Sequence, residues 1–227
     1  MAKPSLALIP SGYANNKVFS VLPSNGDGDF DFSRSGDATR INKDGLIETV
    51  SSNVPRLNYP LIDGVVSGCP SLLLEPTRSN LVTYSEEVSN WSIISSGIVI
   101  TDNTTDVLSP SGKNDASKVE FNAASKILGQ SFTLSGNYSG FIYVKGTQGE
   151  TIRFNFAGTE ENFTLTGGWD KLERTNITAT ANAFNLNTFT GVTARTIYVY
   201  AAQLEQGSYP TSYIPTNGQS GGVTRSA

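Results

Sequence analysis

Apolar and polar residues alternate along the last two thirds of the chain. Phe141 and Tyr143 share one face of residues 139–145, and Ile142 and Val144 share the other. Alternation with a period of two predicts half-buried β-strands. The predicted strands cover residues 97–101, 116–121, 126–134, 139–145, 151–156, 161–165, 169–177, 184–189 and 196–204. Only residues 88–92 favour a short helical turn.

The spacing of these strands, with Gly, Asn or Asp between them, is typical of an all-β sandwich or barrel. Residues 1–80 differ, because short apolar pieces at 17–22, 45–50 and 71–74 lie among dense turn signals. We interpret 1–80 as an attachment and oligomerisation region, 81–216 as a β domain and 217–227 as a C-terminal tail.

Composition limits the kinds of binding partner and cellular setting that we expect. The formal net charge of −4 carries no basic footprint, so we expect no nucleic-acid partner. Apolar runs fall short of the ~20 residues of a membrane span, and the N-terminal run is too short for a signal peptide. The single cysteine, Cys69, forms no intrachain disulfide, and its apolar surroundings predict a buried thiol. We therefore expect folding in a reducing cytoplasm.

Catalytic groups are not evident. The chain has 0 His, which excludes Ser-His-Asp and Cys-His pairs, and it has no P-loop spacing. Glycoside hydrolysis needs two carboxylates facing a cleft, and none of the 20 acidic residues stands out as such a pair. Residues 24–29 (SNGDGD) form a Gly/Asp turn and not an EF-hand loop. We expect no enzymatic activity.

Several segments resemble a family. Residues 80–93 (NLVTYSEEVSNWSI), 109–118, 130–134, 138–145, 169–177 and 197–227 resemble a jelly-roll, carbohydrate-binding-type module of phage structural proteins. Residues 32–48 and 55–81 resemble the attachment segment of head fibres from tailed phages of Bacteroidetes, including the crAss-like group. The resemblance implies a lectin-like β-sandwich jelly roll on a virion. Where relatives often place Trp in the closing strand, this chain has Tyr198 and Tyr200.

Two kinds of site follow from this resemblance. A glycan face would use aromatic rings that stack on sugars, and the candidates are Trp91, Trp169, Tyr138, Tyr143 and Tyr198; the alternative is that these rings are core residues. No cofactor is required, but a structural calcium ion could be held by Glu86, Asp115 and Glu205. Alternatively, Glu205 caps a turn or pairs with Arg78 or Lys118. Tyr209 and Tyr213 are expected to fasten the segment that follows the last strand either to the body of the domain or to a neighbouring subunit.

The resulting hypothesis is a non-enzymatic structural protein of a tailed-phage virion, most simply a head fibre or capsid decoration. It would contact capsid or other virion proteins and bacterial or mucus glycans. Homotrimers are the first expectation and dimers the second. The protein would be made in the host cytoplasm and released by lysis. The alternative is a tail-associated, glycan-binding receptor module for host adhesion.

Overall fold

The computed structural model describes residues 6–62, 64–189, 194–219 and 221–227, with the side chains of residues 9–11 left out. The chain divides into two compact units, and their boundaries are Thr77/Arg78 and Thr224/Arg225. The first unit runs up to Thr77 and includes Arg225–Ala227, whereas the second is Arg78–Thr224.

The first unit contains short strands. They are β1 (Ala7–Ala14), β2 (Lys17–Leu22), β3 (Phe30–Asp31), β4 (Ala38–Ile41), β5 (Ile47–Val50), β6 (Leu57–Asn58), β7 (Leu61–Ile62), β8 (Val65–Val66) and β9 (Ser71–Leu72). Strands β1, β2 and β3 form a three-stranded sheet, and the others pair as β4-β5, β6-β9 and β7-β8. The expected burial of Cys69 is wrong, since it lies exposed between β8 and β9, whose own residues are exposed or only partly buried.

Buried arginines organise this unit. Arg34 is 3% exposed and donates to four backbone carbonyls, those of Gly36, Val50, Ser51 and Val54. Burial lowers the pKa of Arg34, and the neighbouring arginine charges lower it further.

A shared carboxylate holds two more arginines in the first unit. The Oε2 atom of Glu75 lies 2.7 Å from Arg56 Nη1 and 2.5 Å from Arg225 Nη1. The side chains of Arg56 and Arg225 are 2% and 1% exposed, so Glu75 compensates two buried positive charges.

The second unit is a β-sandwich. Its strands are β10 (Arg78–Asn80), β11 (Ile93–Ile94), β12 (Ile98–Thr101), β13 (Ser117–Phe121), β14 (Ile127–Ser131), β15 (Asn137–Lys145), β16 (Thr151–Phe156), β17 (Thr159–Thr164), β18 (Trp169–Thr178), β19 (Ala183–Asn187) and β20 (Arg195–Gln206). A last strand, β21 (Val223–Arg225), pairs with β10. The predicted helical turn is a 3-10 turn at Val88–Asn90. No helix in the described ranges is long and apolar enough to span a membrane.

Two five-stranded sheets face each other in this unit. Their orders are β11-β14-β19-β16-β17 and β12-β13-β20-β15-β18. Without the edge strands β11 and β12, the order is that of an eight-stranded jelly roll with two Greek keys. The all-β sandwich predicted from the sequence is confirmed, including the alternation in β15, where Ile142 and Val144 face the core at 0% exposure.

Aromatic rings fill the centre of the sandwich. The ring of Phe184 on β19 lies 5.0 Å from that of Phe154 and 6.0 Å from that of Phe156, centroid to centroid. The 3-10 turn places Trp91 edge-on against the same Phe184 ring, at 6.0 Å and 82°. Such edge-to-face contacts add to the stabilisation that burial of the rings provides.

After β20, residues 208–217 run across the outer side of the sheet; we call them the exit segment. Gln203 and Glu205 on β20 are both 0% exposed because this segment covers them. The Nε2 atom of Gln203 donates to Thr211 O (3.2 Å), and its Oε1 accepts from Ile214 N (2.6 Å). Tyr213 packs against Tyr200 at 5.8 Å. The expected fastening role of Tyr213 is confirmed, whereas Tyr209 is 49% exposed.

Candidate functional site

A row of side chains crosses the outer face of the sheet β12-β13-β20-β15-β18. Lys118 pairs with Tyr198, Tyr198 with Lys145, and Lys145 with Trp169, each directly opposite the next. Directly opposed residues point to the same side of a sheet. Because the adjacent Val144 is fully buried in the core, the row faces outward. We call these four residues the outer-face row.

The two aromatic residues of the row lie at a regular spacing. Trp169 on β18 and Tyr198 on β20 are separated by the single strand β15, so their backbones are about 10 Å apart. Both side chains are half-buried. Two half-exposed rings at this separation suit an extended ligand with two apolar faces, as a chain of sugar rings has.

The loop of residues 102–116 borders the row and holds both rings by their polar atoms. Trp169 Nε1 donates to the carbonyl of Leu108 at 2.9 Å, and the Tyr198 hydroxyl lies 3.5 Å from Asp106 Oδ2. Partial burial raises the pKa of Tyr198, and the Asp106 charge raises it further. The tyrosine therefore stays neutral at physiological pH, with its ring fixed by a neighbour.

Most charges on this face are paired. Lys118 Nζ lies 3.2 Å from Asp106 Oδ2 and 3.8 Å from Glu120 Oε1. The hydrogen bond to Asp106 raises the pKa of Lys118, and the two negative charges act in the same direction. Lys171, two residues along β18 from Trp169, pairs with Glu173 at 2.5 Å. Each of these lysines thus has a carboxylate beside it.

Next to the row lies an open cleft of about 630 Å³. Its floor is formed by Val99, Glu120 and Thr196, which lie opposite one another two residues along the strands from Lys118 and Tyr198. Glu150 and Arg195 also line it. The Oε2 atom of Glu150 is buried with no hydrogen-bond partner in the described part of the chain. The cleft offers polar groups beside one end of the outer-face row.

Two of the expected glycan-binding aromatics belong to the core. Trp91 is 3% exposed, packs on Phe184 and donates from Nε1 to Tyr84 O at 3.2 Å. Tyr138 is 6% exposed, because its side chain points into the sandwich. Neither ring has a face in solvent, so the glycan role expected for them does not fit the structure.

Tyr143 lies on the same outer face, two residues before Lys145 on β15. Lys171 on β18 and Tyr200 on β20 lie directly opposite it. Its half-buried ring meets Phe141 edge-on at 5.7 Å. Burial raises the pKa of Tyr143 to about 12, and the Glu173 charge adds to this effect. The structure therefore brings three of the five expected aromatics to one face: Trp169, Tyr198 and Tyr143.

The structure does not bring the expected calcium ligands, Glu86, Asp115 and Glu205, together in one cluster. The Glu86 carboxylate already accepts hydrogen bonds from the exit segment, from the Tyr213 hydroxyl (2.5 Å) and from the backbone amides of Thr216 (3.1 Å) and Asn217 (3.2 Å). Because the hydrogen atoms of these donors point at the carboxylate, they would repel a cation that approached the same oxygen atoms. Within the described ranges, no three His, Cys, Asp or Glu residues are grouped to hold a metal.

Glu205 and Asp115 are also engaged by protein donors. Thr211 donates to Glu205 from its amide (2.9 Å) and its hydroxyl (2.6 Å). Asp115 Oδ2 accepts from Ser111 Oγ at 2.8 Å, within the 102–116 loop. The alternative in which Glu205 caps a turn is close to what the structure shows, since this carboxylate anchors the start of the exit segment.

Sequence reasoning missed Lys145 and the bordering 102–116 loop. The signal for Lys145 was present, because it follows Phe141 and Tyr143 with a period of two on the same face of β15. Its neighbours Tyr198 and Trp169, however, come from distant strands, and their pairing depends on the register of the whole sheet.

Comparisons with known proteins add little. No protein-family model matches the chain, and no curated protein matches it. Among solved structures, one similar chain is the Clostridium thermocellum N-terminal endo-1,4-β-D-xylanase 10B, CBM22-1 and GH10 modules, complexed with xylohexaose. The similarity has 14% identity and a TM-score of 0.35 over 62% of this chain and 30% of that chain. A similarity this weak carries no argument about function.

Proposed function

We propose that the protein is a non-enzymatic, glycan-binding structural protein of a tailed-phage virion, a head fibre or related appendage. The observation that carries the glycan-binding part is the outer-face row, in which Tyr198 and Trp169 flank Lys145 on adjacent strands. The virion setting is supported by the sequence resemblance of both regions to phage appendage proteins.

The row has the features of a small recognition platform. Its rings supply apolar faces, and its lysines and the adjacent Glu120 supply hydrogen-bonding groups. Contacts of Trp169 and Tyr198 with the 102–116 loop hold the rings before any ligand arrives, which reduces the entropy that binding costs. Many copies on one particle would turn a weak single-site affinity into useful avidity.

A glycan array tests this platform. Trp169→Ala and Tyr198→Ala should each weaken binding about tenfold, because central aromatic anchors carry most of the binding energy. Tyr209→Ala is the matched control, since Tyr209 is an exposed aromatic outside the row. Near-UV circular dichroism confirms that each variant is folded. If all three variants bind like the wild type, the platform is wrongly placed.

Self-association is the second part of the proposal, with a trimer expected before a dimer. The ribbon β7-β8 supports it, since Leu61, Ile62 and Val65 are 44%, 63% and 69% exposed. Apolar residues grouped in this way are typical of association surfaces. Mass photometry at micromolar concentration should show an oligomer that Val65→Lys dissociates. A wild-type monomer would refute self-association.

The alternative setting is a tail-associated receptor-binding module. Antibody labelling of intact phage particles distinguishes head from tail, and absence from purified particles would refute both. Because we propose no catalysis, polysaccharide incubated with the protein should show no new reducing ends. Their appearance would overturn the non-enzymatic assignment.

A further inference from the structure

Lys145 stands between two aromatic rings. It ends β15, with Tyr198 directly opposite on β20 and Trp169 directly opposite on β18. Directly opposed Cβ atoms in an antiparallel sheet are roughly 5 Å apart. The Lys145 side chain therefore leaves the sheet between the two aromatic residues, and its ammonium group is carried at the end of a flexible stem.

Lys145 also differs from the other lysines of this face in its charge environment. Lys118 is paired with Asp106 and Glu120, and Lys171 is paired with Glu173. Within the described residues no carboxylate lies within ion-pair distance of Lys145. The outer-face row thus presents one uncompensated positive charge, on a protein whose formal net charge is −4.

The polar atoms of the flanking rings are already used. Trp169 Nε1 is bonded to Leu108 O, and the Tyr198 hydroxyl is directed at Asp106. These rings therefore offer a ligand mainly their apolar faces. Lys145 is left as the charged group between them, and it selects for a ligand of opposite charge.

We propose that the outer-face row binds acidic polysaccharides. Lys145 pairs with the carboxylate of a sugar such as a hexuronic acid, and the neighbouring sugar rings of the ligand stack on Trp169 and Tyr198. This inference rests on the proposed glycan-binding function. It adds the chemical class of the ligand and the residue that selects it. Lysine is suited to this role because its ammonium group can donate to either carboxylate oxygen.

Matched polysaccharide pairs test the inference. The probes are bacterial capsular polysaccharides rich in hexuronic acid, and the same polymers after chemical reduction of their carboxyl groups to neutral alcohols. Binding is measured by biolayer interferometry at two salt concentrations. The proteins are wild type, Lys145→Gln, Lys145→Arg, Trp169→Ala and, as the control of equal charge change, Lys171→Gln.

The wild type should bind the acidic polymers about fivefold more tightly than the reduced ones, the size expected for a partly exposed charge pair. Added salt should narrow this difference. Lys145→Gln should abolish it, Lys145→Arg should restore it, and Lys171→Gln should leave it unchanged.

The outcomes separate the two proposals. Binding that is lost in Trp169→Ala but is unaffected by carboxyl reduction or by Lys145→Gln overturns the acidic-ligand inference and leaves glycan binding standing. An acidic preference that persists in Lys145→Gln also overturns it. No binding of any polymer by folded wild-type protein overturns both.

Discussion

Asn80 offers the sharpest test of how the sandwich is closed. Its side chain is fully buried and makes four hydrogen bonds to backbone groups. Nδ2 donates to Ala202 O (3.0 Å) and Ile214 O (2.9 Å), and Oδ1 accepts from Val82 N (3.1 Å) and Leu204 N (3.2 Å). One amide thus ties together the segment after β10, strand β20 and the exit segment.

Asn80→Ala removes all four bonds and leaves their partners buried. At about 1 kcal/mol net for each bond, the free energy of unfolding of this unit should fall by about 4 kcal/mol. With a urea dependence of about 2 kcal/mol per molar, the unfolding midpoint should drop by about 2 M.

Tryptophan fluorescence is the appropriate assay. The chain has two tryptophans, Trp91 and Trp169, and both lie in the sandwich unit. Their emission therefore follows urea unfolding of this unit alone. Exposed Asn114 provides the control, and Asn114→Ala should shift the midpoint by less than about 0.3 M. If Asn80→Ala behaved like this control, the four-bond closure would be refuted.

Two further predictions concern titration and the first unit. Burial raises the pKa of Tyr213 well above its ordinary value, and a neighbouring carboxylate acts in the same direction. The urea midpoint of unfolding should therefore stay constant below pH ~10, where tyrosine is neutral in the unfolded chain as well. It should fall as the pH rises further, because only the unfolded chain then loses the proton. Tyr213→Phe should flatten that fall, and an unchanged profile would contradict the assignment. Glu75→Ala removes the carboxylate shared by Arg56 and Arg225, and should cost the first unit about 3–5 kcal/mol. Hydrogen exchange in β4 and β5 measures this loss, and exchange no faster than in Glu48→Ala, whose carboxylate is more exposed, would disprove it.

The strands of the sandwich were predictable because their apolar faces repeat with a period of two. Residues 151–156 coincide with β16, and residues 169–177 differ from β18 by one residue. Most strands of two or three residues, such as β10 and β11, were not predictable, because so short a segment carries no periodicity. They form only where a longer partner strand or a tertiary contact holds them.

The candidate site was only partly predictable for a related reason. Residue type indicates that an aromatic ring can stack on a sugar, but not whether the ring faces solvent. Trp91 and Trp169 look equivalent in the sequence, yet one lies against Phe184 in the core and the other on the outer face. Sheet register decides between these positions, and register is a property of the assembled strands. The arginine–carboxylate contacts of the first unit depend on tertiary structure in the same way.

The pairing of β10 with β21 has a mechanical consequence. The polypeptide enters the jelly roll at Arg78 and leaves it at Thr224 through neighbouring strands, where Ser79 Oγ and Thr224 Oγ1 are 2.6 Å apart. A force that pulled these two points apart would therefore act on this short ribbon before it reached the longer strands of the two five-stranded sheets.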